Sequence, residues 1–323
     1  MLILDDAFVR RHLDATLAMA AVRDACIALH RGEVQAPPRA IIDLGAGAMF
    51  GSMPGALGEG GVYGAKLVSY VPARAAAGAA SHHGMVIIFD PETGAPLAGV
   101  AAGVLTAMRT AAGSALATDV LSRPGSTTLA ILGCGAQAFA HAILMAEVRP
   151  LRSIDVWGRT PERARAFADR VARATGVTCR ARADIAATVA EADVVCSTTA
   201  ATTPVLSLSQ LRAGTHVNAI GAARGDGELE FDTTVSPCVV VDSRDAVIAE
   251  AGDIGAACAS GRLDASAMID LGDMLMDAEG RAALPAAAIS VYRSVGHVAQ
   301  DLACAHALYR RAIDPEFDGD RSA

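Results

Sequence analysis

Although 52% of the 323 residues are hydrophobic and the mean hydropathy is +0.36, the chain has no run of about eighteen uninterrupted apolar residues, the length a membrane-spanning helix needs. Alanine and valine carry the apolar character, spread over many short elements. The opening Met1-Leu-Ile-Leu-Asp-Asp lacks the basic segment and long apolar core of a signal peptide. A soluble, cytoplasmic protein is expected. No basic stripe and no basic–aromatic interleaving offset the net charge of −8, so neither nucleic acid nor an anionic membrane is an expected partner. The seven cysteines (Cys26, Cys134, Cys179, Cys196, Cys238, Cys258, Cys304) form no CxxC pair and no metal-type spacing. His82-His83 lacks a third ligand at helical or hairpin spacing. Free thiols and no metal are expected.

Lysine is nearly missing as well. Of the 27 basic residues, every one except Lys66 is arginine. Codon bias accounts for a general exchange of lysine for arginine. The exception then marks a place where a compact, titratable ammonium is wanted and a guanidinium fork would not fit.

A chain of this length exceeds what one hydrophobic core usually supports, so two domains are expected. Apolar spacing predicts a long helix over 12–32. Strand-like segments follow at Ala40–Leu44, Ala48–Met53, Gly64–Tyr70, Gly84–Phe89 and Pro96–Val100, with a turn at Asp90-Pro-Glu-Thr-Gly94. This reads as an antiparallel α+β region. From about Thr110 short apolar strands alternate with helices: Leu129–Leu132, Ile154–Trp157, Asp193–Thr198, Val217–Ile220, Val239–Asp242 and Ile289–Tyr292, with a charged helix over Pro161–Thr175. That alternation predicts an α/β fold with a doubly wound parallel sheet of the Rossmann type. The helix Val298–Ala312 is expected to return to the first domain. The expected domains are 1–112 with 298–323, and 113–297.

Gly133-Cys-Gly135-Ala-Gln-Ala138 fits G-x-G-x-x-A between the apolar strand Leu129–Leu132 and a helix. Gly133 permits the tight turn, Gly135 lets backbone approach a pyrophosphate, and Ala138 allows close helix–strand packing. The following helix N-terminus, with Ala136 and Gln137, offers N–H groups to phosphates. Cofactor choice is read at the end of the second strand, where an NAD enzyme usually carries Asp or Glu. Here stand Arg159 and Thr160, with Arg163 one turn on. They suit a 2′-phosphate, so NADP(H) is favoured over NAD(H).

The chain resembles the ornithine cyclodeaminase/mu-crystallin family. The matching segments run in order: Met53-Pro54, Ala65-Lys-Leu-Val68, Ser81-His82, Leu105-Thr-Ala-Met-Arg-Thr-Ala-Ala-Gly-Ser114 and Ile131-Leu-Gly-Cys-Gly-Ala-Gln137. Then come Val156-Trp-Gly-Arg-Thr160, Asn218-Ala-Ile-Gly221, Val241-Asp-Ser243 and Ser294-Val-Gly296. The resemblance implies a substrate and dimerisation domain built from both termini around a central Rossmann domain, and a homodimer. It assigns a carboxylate-binding set that falls on Arg39, Lys66 and Arg109. Thr110 would lie on the cofactor side, and Thr199, Ile220 and Ser294 complete the expected cofactor set.

Departures from the cyclodeaminase pattern point to one branch. Cyclodeaminases carry an acid–base aspartate shortly after the Asn-Ala-Val-Gly segment. Ala223 occupies that place here, and a methyl group cannot shuttle a proton. Asp226 could take over the role if the loop folds inward. Cyclodeaminases also carry a glutamate where Gly51 stands. Both losses favour the ketimine reductase branch, and the expected activity is hydride transfer to the C=N bond of a small α-imino acid, a cyclic ketimine such as piperideine- or pyrroline-2-carboxylate, or an acyclic one such as iminosuccinate. Rival readings are an alanine-type amino-acid dehydrogenase, a true cyclodeaminase, and a non-catalytic crystallin-like binding protein.

Overall fold

Between residues 34 and 101, alternating small and branched residues set off by turns favour strands. In the computed structural model, which describes residues 1–73, 82–221, 225–276 and 287–314, two compact units are present. One is Met1–Arg109 with His297–Ala323, and the other is Thr110–Gly296.

The first unit holds β1 (Leu2–Leu4), β2 (Val34–Gln35), β3 (Ala40–Gly45), β4 (Ala48–Leu57), β5 (Tyr63–Tyr70), β6 (His82–Phe89) and β7 (Pro96–Ala101). Their order is β1-β7-β6-β5-β4-β2, with β3 paired to β4. All ladders are antiparallel except β1 with β7. The hairpin from β6 to β7 turns on Asp90, whose Oδ1 accepts from Glu92 N (3.0 Å) and Thr93 N (2.8 Å). The helix expected over 12–32 begins at Ala15, because Asp14 caps it by accepting from Leu17 N at 2.8 Å. A separate helix, Asp6–His12, precedes it. The terminal helix Val298–Ile313 packs on β4 to β7 and on Ala15–His30, burying Leu302, Cys304, Ala305 and Leu308.

The second unit holds β8 (Thr128–Leu132), β9 (Ser153–Trp157), β10 (Thr178–Ala181), β11 (Val194–Ser197), β12 (Leu206–Ser207), β13 (His216–Ala219), β14 (Leu229–Glu230), β15 (Cys238–Val241), β16 (Ile269–Asp270) and β17 (Ser290–Arg293). The main sheet runs β10-β9-β8-β11-β13-β17-β15-β16, every pair parallel, and β12 pairs β14 apart from it. Strand order reverses between β8 and β11, the switch point where doubly wound sheets bind ligands. Ala130, Leu132, Val195, Val217, Val239 and Val291 form its buried layer. Helices Ala136–Val148 and Pro161–Thr175 alternate with the strands, giving an α/β Rossmann fold. The 20-residue helix Ala102–Leu121 has no counterpart in the sequence reading. Among the described residues, no helix is long and apolar enough to cross a membrane.

Candidate active site

Within the first unit, three elements deliver charge to one place. Lys66 stands in β5, in register with Met53 of β4 and Val86 of β6. Arg109 comes from the helix Ala102–Leu121, and Asp301 from the first turn of the terminal helix. Lys66 Nζ donates to Asp301 Oδ1 at 3.2 Å and Oδ2 at 3.4 Å, and Arg109 Nε donates to the same Oδ1 at 3.0 Å. Arg109 Nη1 donates to Gln300 Oε1 at 3.1 Å. Both cations are only 5% exposed, and Asp301 is fully buried. Burial lowers the Lys66 pKa to about 8; the Arg109 and Arg39 charges push the same way, and Asp301 opposes them. Burial raises the Asp301 carboxyl, but Arg109 and Lys66 outweigh it and hold it below the usual value. Arg39 is half-buried just before β3, close enough for its charge to act on Lys66.

Asp301 and Gln300 were not among the residues expected from sequence. The available signal was an acid and an amide inside an otherwise apolar helix face, Val298-Ala-Gln-Asp-Leu302. Ser81 and Ala223 lie outside the described residues.

In the second unit the glycine motif leads from β8 into the helix Ala136–Val148. Gly133 has φ +118°, and a Cβ there would sit 2.7 Å from Thr198 Oγ1. Its N–H donates to Trp157 O at 2.9 Å, tying the turn to the end of β9. Gly135 is the helix N-cap with no side chain capping it, and a Cβ there would meet nothing within 4 Å. Gln137 Oε1 is buried without a hydrogen-bond partner. An open cradle over a bare helix N-terminus, beside an unpaired buried acceptor, fits a dinucleotide pyrophosphate with its ribose hydroxyls. Ala136 is exposed on the same turn.

Arg159, Thr160 and Arg163 are all exposed at the start of the helix Pro161–Thr175. Thr160 is its N-cap residue yet makes no side-chain cap, leaving N–H groups and two guanidinium groups for an anion. Thr110 is half-buried in the helix Ala102–Leu121. Ile220 is half-buried just after β13, its N–H bonded to Ser197 O at 3.0 Å.

Thr199 and Ser294 have other duties for their hydroxyls. Thr199 donates both its N–H (2.7 Å) and its hydroxyl to Glu228 Oε1. Glu228 Oε2 also takes the Gly221 N–H at 2.7 Å, so one buried carboxylate fastens the chain after β11 to the chain after β13. Burial raises the Glu228 pKa, against the pull of these donors and of Arg293. Arg293 is itself buried and donates through Nε to Asp253 Oδ1 at 3.0 Å. Ser294 Oγ donates to Asp242 Oδ2 at 2.6 Å. Asp226, expected as a possible acid–base substitute, is exposed, with its N–H on Thr202 O; the buried carboxylate of that loop is Glu228. His141 is held between Gln137 O and Ser114 Oγ, and burial drops its pKa to about 4, so it is neutral.

The sequence model of the ornithine cyclodeaminase/mu-crystallin family matches residues 2–316. Ketimine reductase mu-crystallin of Mus musculus is 34% identical over 282 residues, covering 86% of this chain and 85% of that protein. A Delta(1)-pyrroline-2-carboxylate reductase of Bacillus cereus is 33% identical, covering 78% of each. The solved structure of Thermococcus litoralis Delta(1)-pyrroline-2-carboxylate reductase, in complex with NADH and L-proline, superimposes with TM-score 0.89 at 28% identity, covering 97% of this chain and 98% of that one. The chain belongs to the ornithine cyclodeaminase/mu-crystallin family.

Proposed function

We propose that this protein is an NAD(P)-dependent oxidoreductase that reduces the C=N bond of a small α-imino acid, with Lys66, Arg109 and Arg39 holding the substrate carboxylate. The observation that carries the reading is the pair of nearly buried cations, Lys66 and Arg109, sharing the single carboxylate of Asp301. Two cations on one carboxylate leave positive charge in excess, and a small substrate carboxylate would supply the missing anion. A bound nicotinamide would supply the hydride. The chain's part is to orient the imino acid and keep its carboxylate away from water. The imine carbon accepts hydride most readily when its nitrogen is protonated, so little further acid catalysis is needed near neutral pH. Lys66 orients the substrate and holds a proton at Nζ.

Side-chain selectivity follows from the neighbouring register. Gly51 pairs Ile41 of β3 and Val68 of β5, one step from Lys66 on the same sheet face. A Cβ at Gly51 would lie 3.1 Å from Ile41 Cδ1 and 3.2 Å from Val68 Cγ1. That apolar row offers nothing to an ω-ammonium group and suits an aliphatic chain or ring, as in piperideine- or pyrroline-2-carboxylate. Arg159, Thr160 and Arg163 favour NADP(H) over NAD(H). A homodimer through the first unit is part of the reading. Ile41, Ile42 and Leu44 of β3 are 48%, 57% and 56% exposed, a row that a second copy would cover.

Oxidation of NADPH and NADH is the test, first with cyclic ketimine carboxylates, then with pyruvate plus ammonia, then with ornithine alone. Turnover of a ketimine in excess of the others is expected. Ammonia release from ornithine, or ligand binding with no turnover of any imine, would refute the reading.

A further inference from the structure

We infer that Asp301 is a positioning residue of the substrate site: its carboxylate turns Lys66 and Arg109 so that their remaining N–H groups are the ones presented to a substrate carboxylate. The inference rests on the imino-acid reading above. Asp301 Oδ1 accepts from both cations, at 3.2 and 3.0 Å, and so fixes one ammonium hydrogen and the Nε edge of the guanidinium. Gln300 takes Nη1, and its own amide is oriented by donation to Cys26 Sγ at 3.8 Å. Nη2 of Arg109 makes no hydrogen bond among the described residues. The donors aimed inward are thereby used up, and those left over form a preset fork. Asp301 has a second effect. Burial and two guanidinium groups all favour the neutral amine at Lys66, and Asp301 is what keeps the ammonium charged.

The groups acting on Lys66 come from every side: Asp301 from the terminal helix, Arg109 from Ala102–Leu121, and Arg39 from the approach to β3. Met53 and Val86, its partners in β4 and β6, do not titrate. Cys304 lies near Asp301, and burial, with the Asp301 charge adding to it, raises its thiol far above the usual value, so it stays neutral.

Because Lys66 is the only lysine, lysine-specific 13C labelling yields a single ε-carbon resonance whose pH titration reads this group alone. In the wild-type protein the midpoint is expected at about 8. Asp301→Asn keeps the shape and removes the charge. Its midpoint is expected to fall by about one unit or more, so that at pH 8, where about half of the wild-type lysine is charged, roughly a tenth or less of the variant's is. The alkaline limb of kcat/KM on Delta(1)-pyrroline-2-carboxylate should move with the resonance, and KM should rise more than kcat falls. Asp301→Glu should restore the midpoint. A folded Asp301→Asn variant with unchanged midpoint and unchanged pH limb would overturn the inference. So would a wild-type Lys66 that titrates like a free lysine, a result that needs no variant at all. Should the resonance behave as expected while the wild-type protein turns over no imine, the ion arrangement stands and the reductase reading falls.

Discussion

Alanine at Gly133 and alanine at Gly135 add the same methyl group two residues apart, and the structure separates their consequences. Gly133 has φ +118°, and its new Cβ would press within 2.7 Å of Thr198 Oγ1 and 3.0 Å of Thr198 O. A non-glycine residue held in that backbone region costs about 1–3 kcal/mol. Displacing Thr198 also strains its 2.9 Å hydrogen bond to Leu132 O, which contributes about 1 kcal/mol. The sum, about 2–4 kcal/mol, corresponds to a Tm fall of roughly 5–15 °C for a unit of this size. Gly135 has φ −92°, which any residue adopts, and open space where a Cβ would go. Its alanine loses a few tenths of a kcal/mol as an N-cap and regains about as much from the stiffer unfolded chain, so Tm should hold within about 2 °C. The methyl group would stand where backbone meets phosphate, at the expense of a charge-assisted hydrogen bond of about 1.5–3 kcal/mol, or about tenfold to a hundredfold in Kd. Calorimetry without cofactor and NADPH titration of both variants decide the matter. Equal Tm losses, or undiminished cofactor affinity in Gly135→Ala, would refute the assignment of the two glycines.

Three further outcomes are expected. Lys66→Arg keeps the charge but replaces a compact ammonium, 5% exposed, with a broad planar fork; kcat/KM should drop about a hundredfold, since displacement of a bound substrate by about 1 Å costs that much, and a fully active variant would contradict the reading. The working form of Lys66 is its ammonium, which is present below about 8 and lost above it, so kcat/KM should fall as pH rises through that value; a pH–rate profile flat to pH 10 would dispose of the idea. Arg159→Asp places a carboxylate beside the expected 2′-phosphate, so NADPH should weaken by roughly tenfold or more while NADH changes little; equal losses for the two cofactors would exclude phosphate recognition by that side chain.

Parts of this architecture were legible because backbone chemistry writes itself into residue type. The helix Pro161–Thr175 was read to its last residue, since Pro161 suits the first helical turn and Gly176 closes it at φ +71°. Gly133 announced its own turn. The helix Ala102–Leu121 went unread because it is buried nearly all round and rich in alanine, leaving no polar stripe to set a period. Asp301 escaped for another reason. Its partner Lys66 lies 235 residues away in the chain, and pairing at that range leaves no local spacing to detect. Glu228 likewise reads as one acid among several in a polar loop, and only the fold reveals that it takes two backbone N–H groups and a hydroxyl.

The order of the strands bears on how the protein is made. β17, residues 290–293, sits between β13 and β15 in the main sheet, and the helix that seals the other sheet starts only at Val298. A ribosome adding about 5–20 residues each second must therefore finish nearly the whole chain before either unit can complete its core. Until then the apolar face of β4 to β7 and the gap beside β13 stay open to the cytosol of any expression host, and chaperone supply should govern the yield of active protein more strongly than induction level does.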